Sequence, residues 1–207
     1  MPGLNLPSLL EGALIAVVLL FSVIIHEVAH GYVALLNGDP TARMLGRITL
    51  NPVPHIDPVG TILLPLLLYI ANLPIIGMAK PVPVNPLNYR NYRWGEFAVS
   101  AAGPVSNLVL AALFSLVLRL GFQNPGLMAM ARIGVSLNIL LALFNLIPIP
   151  PLDGSHILAI FLPRELARLY AYLQPVGFIL ILILFYTGVM TAILMPLYRQ
   201  IVFFLLG

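Results

Sequence analysis

Ile24-Ile25-His26-Glu27-Val28-Ala29-His30-Gly31 lies inside an apolar run from Leu9 to Leu36 in which Glu11 is the only other acidic or basic residue. On a helix His26 and His30 stand one turn apart on one face. Two imidazoles can then grip a single metal ion while Glu27, beside them, takes a proton from a bound water. The bland alternative is a set of polar side chains hydrogen-bonded inside a helix bundle. It is costly here, because a carboxylate and two imidazoles in lipid lose several kcal/mol unless something pairs with them, and ionisable groups at membrane depth are functional candidates for that reason.

The rest of the composition agrees with a membrane setting. Of 207 residues 60% are hydrophobic and 8% charged, with a mean hydropathy of +1.03, against about 25% charged in ordinary soluble domains. No cysteine is present, which excludes disulfides and thiolate metal sites. The net charge of +3 is spread over loops and reads as topology information, not as a nucleic-acid footprint. The N-terminus lacks the basic region and cleavage site of a signal peptide, so the first apolar run is expected to stay in the mature protein. No internal repeat or low-complexity segment interrupts the chain. Residues 1–207 are expected to form a single membrane-embedded domain with no appended soluble domain.

In chain order, Ser8 to Leu36 predicts a spanning helix that stops at Asn37-Gly38-Asp39-Pro40. Thr41 to Asn51 alternates roughly between turn formers and predicts a short membrane-associated β hairpin or strand. Asn51-Pro52-Val53-Pro54-His55-Ile56-Asp57-Pro58 forces a non-helical entry into a second apolar run, Val59 to Met78, which Pro65 and Pro74 interrupt. A polar Lys80 to Trp94 loop follows. Glu96 to Leu120 predicts a third run, opened by the small residues of Ser100-Ala101-Ala102-Gly103-Pro104 and carrying Asn107, either a packing asparagine or a site residue. Met130 to Ile147 is a fourth, carrying Asn138 and Asn145 and broken at Pro148-Ile149-Pro150-Pro151-Leu152-Asp153-Gly154. Irregular backbone at that depth needs protein or a wet cavity around it. Ser155 to Leu162 predicts a short helix and Val176 to Met195 a last span. The fold class is therefore an all-α multi-pass membrane protein of about four transmembrane helices, a re-entrant or broken apolar segment and the short hairpin.

Hydrolytic zinc usually has three protein ligands and an open position, so two histidines leave one ligand to find, and Asp153, between a proline break and Gly154, leads. His26-Glu27-x-x-His30, Gly103-Pro104-x-x-Asn107 and Asn145-x-x-Pro148-x-x-x-Leu152-Asp153-Gly154, in that order, resemble the site-2 protease family of intramembrane zinc metalloproteases, over a core from about residue 15 to 160. The resemblance implies one Zn2+ held by His26, His30 and Asp153, water activation by Glu27, and Asn107 and Asn145 lining the site for substrate or oxyanion. It also implies a transmembrane protein substrate in the lipid bilayer and no nucleic-acid partner; an oligomer is allowed but not specified. Larger family members carry a PDZ or CBS domain for which this chain has no room. His55, in a proline-rich segment, and His156, after the Asp-Gly turn, are read as hydrogen-bonded supports of the site, with a ligand role the alternative for each.

Depth then constrains topology. His26 is about 18 residues, or about 27 Å, into its helix, and Asp153 is also at an exit end. Both can hold one ion only if the Val59 to Met78 run enters and leaves on one side. That arrangement also gathers Arg43, Arg47, Lys80, Arg90, Arg93, Arg164 and Arg168 on one face, leaving Arg119, Arg132 and Arg199 on the other. The positive-inside rule then sets the site toward the cytoplasm in the cell membrane, with the N-terminus outside. The expected reaction is hydrolysis of a peptide bond in or near a transmembrane segment, with the Arg43 to Asn51 segment offering a strand edge to the extended substrate. A metal-ion transporter or metal-sensing membrane protein is the rival reading. Glu27, a carboxylate beside the ligands with no transport role, separates the two.

Overall fold

The structure, a computed structural model, describes residues 6–63, 66–67, 70 and 79–206. It is built from helices: α1 (Leu6–Leu36), α2 (Thr41–Met44), α3 (Tyr92–Arg119), α4 (Pro125–Asn145), α5 (Asp153–Phe161), α6 (Arg164–Ala171), α7 (Gly177–Tyr186) and α8 (Val189–Leu206). Four of these are long and apolar enough to cross a membrane, over Leu10–Leu36, Tyr92–Arg119, Pro125–Asn145 and Val189–Leu206. Large apolar side chains stand outward along them, among them Val17, Phe21, Val109, Leu113, Ile193 and Phe203, as helices facing hydrocarbon require.

The inner faces set small and polar residues among the apolar ones. Ala111 of α3 packs with Val135 and Ile139 of α4, and Tyr198, Ile201 and Leu205 of α8 close over them. A methyl at Gly134 would overlap the Phe114 ring, so the missing side chain lets α3 and α4 approach closely. His30 bonds Val99 and His26 bonds Asn107, so α1 and α3 run antiparallel. Their common end is also where the intervening chain is tied: Arg90 N–H donates to Asn37 O at 2.9 Å, and Asp39 accepts from Asn85 N–H and the Asn88 amide.

The hairpin expected over Thr41 to Asn51 is not present; the described residues contain no strand. Asp39 Oδ1 accepts from the Thr41 N–H and hydroxyl, which starts the one-turn helix α2 directly after Pro40. Gly46, at φ 64°, then reverses the chain so that Arg47 N–H returns to Ala42 O at 2.9 Å. The donors from Met44 to Arg47 are spent within this turn, so the expected hairpin does not form. The last span also differs. The apolar stretch from Val176 is divided at Thr187-Gly188, where Gly188 has φ 77°, into the short α7 and the spanning α8. Leu152, Ile181, Met190 and Leu194 pack across that break. For the Val59 to Met78 run, a wide helical turn covers Pro58–Leu63, and whether the run re-enters lies outside the described residues.

Asp39 is fully buried. Burial raises its carboxyl, but hydrogen bonds from Asn85 N–H, Thr41, Asn88 and the Thr41 N–H outweigh that and hold it below the ordinary 3.8. A depressed carboxyl contributes stability that is present above the ordinary value and lost as pH falls through the folded one. Asp39→Ala should lower the thermal midpoint in detergent by an amount corresponding to about 1–3 kcal/mol, and should shrink the loss of stability between pH 5 and more acid conditions. An unchanged midpoint would show that the tie does not hold these loops.

Candidate metal centre

The two histidines are oriented before any ion is considered. His26 Nδ1 lies 2.6 Å from Asn107 Oδ1. The Asn107 amide nitrogen donates to Asn138 Oδ1 at 2.9 Å and to the Ser22 carbonyl at 3.3 Å, and a carbonyl only accepts, so the amide is fixed with its oxygen toward His26. The Asn138 amide nitrogen likewise donates to Gly134 O and Ser22 Oγ. His30 Nδ1 lies 2.6 Å from the Val99 carbonyl. In the neutral imidazole each Nδ1 therefore carries the proton and each Nε2 keeps its lone pair.

Those lone pairs face one another. His26 Nε2 and His30 Nε2 are 3.0 Å apart, and Asp153 Oδ2 stands 3.2 Å from the first and 3.4 Å from the second. Oδ2 is buried and accepts no hydrogen bond. Three acceptor atoms at this spacing repel unless a cation sits among them. A tetrahedral zinc with arms of about 2.0–2.1 Å needs ligand atoms about 3.3 Å apart, so the donor set and its edges fit that ion. Gly103 makes the arrangement possible, since a methyl there would overlap His30 Nε2 and the His26 ring. Asp153 opens α5, and Gly154 packs so tightly on the Leu146 carbonyl that no larger residue fits.

Glu27 borders the same cavity, of about 560 Å³, with Asn145 and His156 on its wall. Its Oε2 accepts the Val82 N–H at 2.7 Å. The sequence candidates thus separate. Asn145 reaches the cavity with its nitrogen on Leu141 O. Asn107 is fully buried, with its amide bonded to His26, Asn138 and the Ser22 carbonyl. His156 is half exposed and bonded to Glu96 at 3.0 Å; that carboxylate holds its imidazole above the ordinary value. His55 is buried away from the cluster, its Nε2 on Thr49 O at 2.9 Å. Ser22, Asn138, Val82 and Glu96 were not among the candidates. Ser22 had a signal, lying one helical turn before His26, and so did Asn138, a lone amide in an apolar run; Val82 had none.

The family model for peptidase family M50 matches residues 14–125 and 121–184. The chain is 40% identical over 192 residues to YwhC of Bacillus subtilis (88% of this chain, 84% of that protein). It is 32% identical over 173 residues to Rip2 of Mycolicibacterium smegmatis (81% and 64%) and 31% identical over 169 residues to Rip2 of Mycobacterium tuberculosis (80% and 64%). All three are provisionally named zinc metalloproteases. No solved structure matches. With apolar spanning helices around a two-histidine, one-aspartate cluster and a family match over most of its length, the chain belongs to peptidase family M50, the zinc metalloproteases that include the site-2 proteases.

Proposed function

We propose that this metalloprotease cuts membrane proteins within or near a transmembrane segment, with His26, His30 and Asp153 as the zinc ligands and Glu27 as the general base. The observation that carries the reading is the convergence of two histidine Nε2 atoms and a buried carboxylate oxygen with no hydrogen bond, beside a glutamate that is not itself part of the cluster. Zinc in such a site lowers the pKa of water toward about 7 and polarises a carbonyl. Glu27 takes the proton of the attacking water and delivers it to the leaving amine. Asn107 and Val99 keep both imidazoles in the ligating tautomer. Asn145, on the cavity wall, is placed to hold substrate or the developing oxyanion. A transporter would need successive sites, and among the described residues His26, His30 and Asp153 form the one group able to hold a metal.

The site faces the cytoplasm in this reading and the N-terminus lies outside. Support comes from the tie between Asn37 to Asp39 and Asn85 to Arg90, which returns the chain after α1 to the end it left, and from the arginines gathered there. Water has a route on the same side. A second cavity of about 610 Å³, lined by Arg93 and Arg164, adjoins the first and shares Glu96 and His156 with it.

Glu27→Gln should lower cleavage of a model transmembrane substrate by about 10²–10⁴-fold with zinc retained, whereas Asp153→Ala should lose zinc and activity together; zinc lost from Glu27→Gln, or fully kept in Asp153→Ala, would reassign the ligands. Topology is tested separately with single cysteines at the exposed positions Arg43, Arg90 and Gln123. In intact cells a membrane-impermeant thiol reagent should label Gln123→Cys alone, and all three after permeabilisation. Labelling of Arg90→Cys from outside would overturn the orientation.

A further inference from the structure

Arg47 is buried, 8% exposed, although it lies in a surface connection, and among the described residues no carboxylate pairs with it. Its Nη2 instead donates to two successive carbonyls, Lys80 O at 2.8 Å and Pro81 O at 3.2 Å. A buried guanidinium spent on backbone oxygens alone is costly, and what it holds is the strap Ala79-Lys80-Pro81-Val82-Pro83-Val84. Pro81 and Pro83 have no N–H, so between Lys80 and Val84 the strap has a single donor, Val82. That donor is the one that meets Glu27 Oε2, at 2.7 Å.

Two further contacts fix the strap in register. Lys80 N–H donates to His55 O at 2.9 Å, and His55 is itself anchored through Nε2 to Thr49 O. The Val82 side chain fills the notch at Gly31, one helical turn beyond Glu27 on the same face of α1. A Cβ at Gly31 would stand 2.8 Å from Val82 Cγ1 and 3.0 Å from Ala42 Cβ. Below this lies the Glu27 carboxylate, with one oxygen tied and the other outside any hydrogen bond to the strap.

We propose that Arg47 is a positioning residue for peptide hydrolysis: by gripping the Lys80 and Pro81 carbonyls it presents the Val82 N–H to Oε2 of Glu27, which leaves Oε1 as the oxygen that takes the proton. The His55 carbonyl holds the same strap at Lys80, and the Nε2 bond to Thr49 O anchors that residue at a distance from the metal. A carboxylate on a flexible side chain gains from such fixing, because reacting groups displaced by about 1 Å cost about 10²-fold in rate.

This inference rests on Glu27 as the base, a reading that wild-type cleavage and its loss in Glu27→Gln test independently of the strap. The experiment measures kcat, KM and zinc content for the purified full chain in lipid vesicles with a model transmembrane substrate. Arg47→Met and Val82→Pro should each lower kcat about 10–100-fold, with KM within about two-fold and zinc at one per chain. Because both act through one hydrogen bond, the double variant should be no slower than the slower single. Arg47→Lys, which keeps a donor for one carbonyl, should recover part of the rate. Should the larger changes fail to fold, Gly31→Ala, which keeps Arg47 and the Val82 N–H but pushes Val82 outward, should still lower kcat at full zinc. A change confined to KM, additive losses in the double variant, zinc loss in proportion to activity, or unchanged kcat in Gly31→Ala would each overturn the proposal.

Discussion

Two bare imidazole nitrogens 3.0 Å apart repel each other in a low dielectric, and the remainder of the structure depends on how that repulsion is imposed and relieved. It is imposed from behind, by the Asn107 oxygen and the Val99 carbonyl, which keep the protons on Nδ1. It is relieved in front, where Asp153 completes a cluster for a cation. The chain of Ser22, Asn107 and Asn138 is the reason the orientation is unambiguous: each amide ends on a backbone carbonyl that cannot donate, so neither can flip without breaking a buried hydrogen bond.

That requirement sets the arrangement of helices. α3 must lie against the histidine face of α1, which Gly103 permits, and α4 must deliver Asn138 to the same level and then stop, so that the proline turn can carry Asp153 inward. Antiparallel packing of α1 on α3 and of α3 on α4 brings the C-terminal ends of α1 and α4 together. The connection from Asn37 to Asn91 therefore begins and ends at one end of the bundle, and its residues Ala79, Pro81, Val82 and Val84 line the cavity. α7 and α8 stand further out and contribute packing, through Met190 and Leu194 on Leu152.

The helical core and the residues of the cluster were legible because they rest on short-range rules: four-residue spacing puts His26 and His30 on one face, and a carboxylate at a proline break in an apolar run has few purposes. What escaped was decided by partners far away in sequence. Rough alternation over Thr41 to Asn51 suggested a hairpin, but Asp39 captures Thr41 and is held in turn by Asn85 and Asn88, which favours a helical turn. The stretch from Val176 to Met195 is apolar on both sides of Gly188, so hydropathy could not locate the break that a positive φ creates there. Asn107 in an apolar helix suits a substrate contact as well as a histidine contact, and only the fold brings its oxygen to His26. The Val82 to Glu27 bond spans 55 positions and leaves no local trace.

On the proposed function, His26, His30 and Asp153 form one zinc shell oriented by their buried partners. X-ray absorption at the zinc edge of the purified chain tests it most directly. The expected shell is one zinc per chain with two imidazole nitrogens at about 2.0–2.1 Å and the remaining ligands oxygen at about 2.0–2.2 Å, with the zinc lost in Asp153→Ala. A shell of oxygen alone, an imidazole count other than two, or full zinc occupancy in Asp153→Ala would contradict it.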